Sequence, residues 1–240
     1  AMALALAGSY YHFQGNSFMG THLYHVGAIL LLVLGIGTRF FSFLSGIPSN
    51  FESSEQKFGK LLFHGLGVAV VAMLFLIGKG YMIAYLGLSL ITLVYLFFVW
   101  GVQRPSARSS ALKIAVRVSA LMIPLSFLLC WIQPAFYVTW LHLLFIGCFS
   151  LITYSVATRV ILAHGSYSID LEMTSRALWI FVLLLILSLC FRIAYGLSDS
   201  PARNIHLYLA ASLWTLAVTS WCCSFIIRIG RPGALPKAVC

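Results

Sequence analysis

Seven long apolar runs alternate with short polar clusters along the chain: Tyr24 to Gly46, Phe58 to Gly78, Met82 to Val102, Leu112 to Ile132, Phe136 to Leu162, Thr174 to Gly196 and Ile205 to Ile229. A bilayer core about 30 Å thick takes about 20 apolar residues in helical form, so each run is long enough to cross it. The runs are apolar on most faces, unlike a helix that lies on a surface with one wet side. Breakers close them, among them Ile47-Pro48-Ser49-Asn50, Arg104-Pro105-Ser106, Gln133-Pro134 and Ser200-Pro201. No strands of about ten alternating residues occur, which sets a transmembrane barrel aside. The pattern predicts an all-α polytopic membrane bundle of seven helices, a single membrane domain over residues 1–240. The opening Ala1-Met2-Ala3-Leu4-Ala5-Leu6-Ala7-Gly8 is apolar but has no basic stretch before it. It is a poor signal peptide and reads as an added remnant or as the tail of a helix that begins elsewhere.

Composition agrees. Of 240 residues, 61% are hydrophobic and 8% charged, against roughly 25% charged in soluble domains. The net charge of +10 marks topology rather than nucleic-acid binding. Arg39, Lys57, Lys60, Arg104, Arg108, Lys113, Arg117, Arg159, Arg176, Arg228, Arg231 and Lys237 fall on one side, and Lys79, Arg192 and Arg203 on the other. Basic residues accumulate in the cytoplasm, which predicts an inner-membrane protein with its N-terminus outside and its C-terminus inside. The cysteines Cys130, Cys148, Cys190, Cys222 and Cys223 lie in apolar runs and read as small interface residues.

The pattern His-Leu-x3-Gly-x10-Thr-Arg occurs twice at an offset of 120, from His22 to Arg39 and from His142 to Arg159. Four crossings separate the copies, so they point the same way. This predicts a parallel repeat: repeat one over about 22–103, a linking helix over about 112–132, and repeat two over about 136–229.

Ionisable groups at membrane depth are costly and mark function. His22, His25, His142 and His206 begin their spans at one outer level, with His12 just before; His64 and His164 lie on the inner side. Imidazoles from several helices suit copper, zinc or a b-type haem held between helices, and the same residues read equally as interfacial side chains with wet tips. His22 and His142 are the leading axial candidates, with His25 and His206 as alternates. Arg39 and Arg159, 17 residues beyond their histidines and so about 25 Å along a helix, either reach lipid phosphates or neutralise a propionate or a nearby carboxylate. Arg192, near the histidine level, is the stronger partner for a propionate. Met73 and Met82 are candidate thioether ligands for Cu(I) or ordinary packing. The acidic residues Glu52, Glu55, Asp170, Glu172 and Asp199 all fall in predicted loops, which disfavours a carboxylate proton relay.

The stretch from His142 to Arg159, with His164-Gly165 and Phe191-Arg192-Ile193 after it, resembles the C-terminal half of the NnrS family. That family shows a helix beginning His-Ala-Leu, a glycine four residues on, Met-Thr-Arg near its end, then Gly-His-Thr-Gly and Leu-Arg-Val. Here Ala163-His164-Gly165-Ser166 stands in place of Gly-His-Thr-Gly, and the family's His-x-His-Glu-Met stretch does not occur. The resemblance implies a haem- and copper-containing membrane protein linked to nitric oxide, with His22, Arg39, His142, Arg159, His164 and Arg192 as the matching residues. Besides the bilayer, it implies nitric oxide or electron carriers as partners, and a homo-oligomer or a partner subunit. A small-solute transporter or channel without cofactor, a membrane oxidoreductase using quinol, and a purely structural bundle are the competing readings.

Overall fold

The computed structural model of the chain describes residues 1–45, 57–104, 110–168 and 170–229, with the side chains of 42–45 and 57–59 left aside. Ile47-Pro48-Ser49-Asn50, Glu52, Glu55, Pro105, Ser106, Arg108, Arg231 and Lys237 lie outside the described residues. Within them every regular element is helical. In hydrocarbon each backbone N–H and C=O needs an internal partner, and a helix of this length supplies one for nearly all of them.

Seven helices are long and apolar enough to span a membrane: Ser17–Phe41, Lys60–Gly78, Ile83–Trp100, Ala111–Ile132, Pro134–His164, Arg176–Leu197 and Arg203–Arg228. The first begins seven residues earlier than the hydrophobic pattern predicts. Asn16 caps it, its side-chain oxygen accepting from the Met19 N–H at 3.0 Å, so the polar Ser17 and Thr21 join the helix. The second and seventh spans bury only 17% and 22% of their apolar windows, which leaves Leu61, Val68 and Leu216 facing lipid.

The chain forms two compact units, residues 1–106 with 120–141, and residues 107–119 with 142–240. In the first, Met2–Phe13 is a helix that packs on the segment His22–Ala28. The N-terminal residues are therefore a folded part of the unit. Gly8 permits the contact, because a Cβ there would sit 2.6 Å from the Tyr24 backbone nitrogen. Ile83–Trp100 is joined to the fourth span by Ser89, whose hydroxyl donates to the Pro124 carbonyl at 2.8 Å. Further along, Phe41 stacks on Trp100 with centroids 5.1 Å apart.

In the second unit the sixth and seventh spans pack along one another. The core there combines Leu112 and Ala115 with Leu151, Phe181, Leu185 and Trp221. Tyr154 lies edge-on to both Phe181 and Trp221, at 5.1 and 4.9 Å.

Three stretches, His22–Ala28, Leu96–Trp100 and Leu143–Ser150, wind as π-helix. Such turns widen the helix locally and favour functional positions. Two of the three start at or just after His22 and His142.

The glycines give a test with opposite signs. Gly8→Leu would clash with backbone that has no rotamer to move, and is expected to lower stability by about 1–3 kcal/mol. Gly65→Ala adds a methyl where nothing lies within 4 Å and is expected to raise stability by up to about 1 kcal/mol. Melting temperatures in one detergent check both.

Candidate functional site

The first unit brings together a buried aromatic group around His22. The ring is fully buried, with Nδ1 2.9 Å from the Phe18 carbonyl and Nε2 2.6 Å from the Tyr85 hydroxyl. A carbonyl only accepts, so Nδ1 carries the proton and Nε2 accepts from Tyr85. Phe18 and Tyr137 flank the ring at 4.3 and 5.9 Å. Iron on Nε2 would have to displace the Tyr85 hydroxyl. His12 and His25 meet edge to face at 5.9 Å. His12 Nε2 is buried without a hydrogen-bond partner among the described residues, whereas His25 is exposed.

Further along the first span, Thr38 bonds the Leu34 carbonyl at 2.8 Å and the Tyr95 hydroxyl at 2.9 Å. Arg39 is exposed, as is His64, which lines a cavity of about 330 Å³. Met73 packs its sulfur against Gly87, and Met82 is partly exposed.

The second unit has a different arrangement around His142. The π-helical turn Leu143–Ser150 follows this residue. Arg192 donates its Nε–H to His142 Nε2 at 3.0 Å, so this imidazole too is neutral with its proton on Nδ1. The pair stands on the wall of a cavity of about 360 Å³ whose other sides include Ile146, Ser188, Trp214 and Thr215. Ser188 donates to the Ala210 carbonyl at 2.8 Å and is satisfied within the bundle. The Arg192 guanidinium lies 4.8 Å from the Tyr195 ring, and Arg203 lies 4.4 Å from the same ring. No carboxylate pairs with either arginine among the described residues. His206 precedes Leu207 of the cavity wall, stacks on Phe191 at 6.0 Å and leaves Nδ1 buried without a hydrogen-bond partner.

Arg159 forms an ion pair with Glu172, which is 2% exposed. Glu172 is thus a buried helical residue in Leu171–Thr174, not the loop residue that its polar neighbours predict, and it is the nearby carboxylate that Arg159 neutralises. His164 ends its helix exposed. Thr158 accepts from Trp221 Nε1 at 2.7 Å.

Tyr85 and Trp221 escaped the sequence reading, and Glu172 and Phe191 were given no role in the site, because an aromatic or a lone acid carries no spacing signal of its own. Among the described residues no group of three or more His, Cys, Asp or Glu converges as a metal centre, so these residues do not fit copper. Haem fits the second unit better: an imidazole and an arginine stand on the wall of an apolar cavity, and a second arginine shares the Tyr195 ring with the first.

The family model described as "NnrS: NnrS protein" matches residues 1–232 of this chain. No curated protein and no solved structure matches it.

The buried ion pair yields a cycle of variants. Glu172→Gln removes the negative charge of the pair while its amide oxygen can still accept from Arg159, and is expected to cost about 1–3 kcal/mol. Adding Arg159→Gln should recover part of that loss, since a buried charge is the expensive species. Thermal or denaturant unfolding of the two single variants and the double variant measures it.

Proposed function

The chain belongs to the NnrS family, and from that premise we propose that it is an inner-membrane haem protein that holds its cofactor in the second unit and responds to nitric oxide. One observation carries the reading: the His142–Arg192 pair stands on an apolar cavity wall, and His206, whose Nδ1 is buried without a hydrogen-bond partner among the described residues, directly precedes Leu207 of that wall. In this reading His142 would hold the haem iron through Nε2, which Arg192 now occupies, with His206 as the alternate. Arg192 and Arg203 take the propionates through charge-assisted hydrogen bonds, and Tyr195 holds both guanidinium groups in place by cation–π contact. Trp214 and Ile146 exclude water. Haem bound by one histidine supplies an iron with an open position for a diatomic gas, whereas two histidines favour electron transfer. His22 enters as a structural group, its lone pair taken by Tyr85. Copper is left out of the proposal.

The two occurrences of His-Leu-x3-Gly-x10-Thr-Arg are read here as copies of one unit. Each has a π-helical turn at its histidine. Each also has its threonine bound to an aromatic group two spans on, Thr38 to Tyr95 and Thr158 to Trp221.

Absorption spectra of detergent-purified protein, oxidised and dithionite-reduced, test the site. His142→Ala is expected to lose or strongly shift the Soret band, while Tyr85→Phe keeps it. A His142→Ala variant with an unchanged spectrum contradicts the assignment. The orientation is tested by C-terminal fusions: green fluorescent protein is expected to fluoresce and alkaline phosphatase to be inactive, and the reverse pattern would invert the topology.

A further inference from the structure

The cavity around His64 lies in the other unit and has no part in the haem reading. Its sides come from the first span, through Leu31, Leu34 and Gly35, and from the second, through Phe63, Gly67 and Val68, with Tyr95 behind. Val68 is 71% exposed on the same helix as Leu61, also 71% exposed, so the cavity opens toward hydrocarbon.

Glycines on facing membrane helices ordinarily let the backbones touch. Here they do not: a Cβ built at Gly35 or Gly67 meets nothing within 4 Å. These two positions, both on the cavity wall, leave a slot open instead of closing a contact. Phe63 and Tyr95 give it an aromatic wall, their centroids 5.9 Å apart. The Tyr95 hydroxyl is already engaged by Thr38 and the Leu34 carbonyl, which leaves it only a ring face to offer.

His64 is then the polar group of the slot. It sits four residues into the span Lys60–Gly78, about 6 Å along the helix, and a polar ring at that depth gains from a hydrogen-bond partner. No lining residue carries a charge. An occupant that suits these walls is soluble in lipid, flat enough to lie on Phe63 and Tyr95, and equipped with a hydrogen-bonding oxygen for His64. A bare acyl chain meets the first condition and fails the other two. At about 330 Å³ the space falls within the range of small-molecule pockets.

We propose that the groove between the first and second spans binds the ring of a lipid-soluble quinone or quinol, with His64 as its hydrogen-bond partner and Gly35 and Gly67 as its floor. Binding of decylubiquinone to the detergent-solubilised full chain tests this, by ultrafiltration against empty micelles. Saturable binding of one quinone per chain is expected. His64→Leu and Gly67→Leu should each weaken it about tenfold, the effect of one lost hydrogen bond or of a filled slot. His64→Gln keeps a donor and should stay within about threefold. Gly35→Leu fills the slot from the opposite helix and repeats the measurement if Gly67→Leu does not fold. Partition no greater than into empty micelles, or equal binding by His64→Leu and a folded glycine variant, overturns the proposal. So does a groove that yields only phospholipid on extraction of the purified chain. None of these readouts uses haem, so failure of the second-unit reading leaves this result standing.

Discussion

A polar atom in hydrocarbon has no water to turn to, and the placing of side chains in this protein follows from that constraint. His22 is held by Tyr85, Thr38 by Tyr95, Ser89 by the Pro124 carbonyl, Ser188 by the Ala210 carbonyl, Thr158 by Trp221, and Arg159 by Glu172. An interhelical hydrogen bond in a bilayer contributes on average about 0.6 kcal/mol. The set therefore does more to fix which helix faces which, and in what rotation, than to hold the helices together. Cohesion comes from close packing, as at Gly8 on Tyr24 and in the Tyr154, Phe181 and Trp221 cluster.

Against that background the exceptions stand out. Among the described residues the Nε1 of Trp100 and Trp140, Ser155 Oγ, Glu172 Oε1, His12 Nε2 and His206 Nδ1 are buried without a hydrogen-bond partner, and Arg192 has an imidazole and an aromatic ring as its neighbours. Of these, Arg192 lines the cavity of the second unit, and His206 directly precedes Leu207 of its wall. The neutral His142 and the cationic Arg192 also complement one another. The arginine Nε–H occupies the Nε2 lone pair of His142.

Much of the fold was legible in the sequence, because a run of about 20 apolar residues has few alternatives to a membrane span. The ends of the runs were less so: Ser17 and Thr21 are polar yet helical, brought in by the Asn16 cap. For Met2–Phe13 the sequence left a helix as one of two readings and gave neither its extent nor its partner, because its apolar stretch is too short to span and only its packing on His22–Ala28 gives it a place. For the site, depth was readable and convergence was not. Counting along the helices put His142 and Arg192 at the same level, but which side chains meet depends on helix rotation, which single residues such as Ser188 and Tyr85 help to set. Glu172 looked like an ordinary loop acid for the same reason; its burial follows from Arg159, 13 residues away.

The central claim is that the cavity beside His142 is a haem site, and the most direct measurement is a pyridine haemochrome assay with protein quantified in the same sample. Chain expressed with ample haem precursor and purified in mild detergent is predicted to carry one b-type haem per chain. A colourless protein with no extractable haem under those conditions contradicts the account.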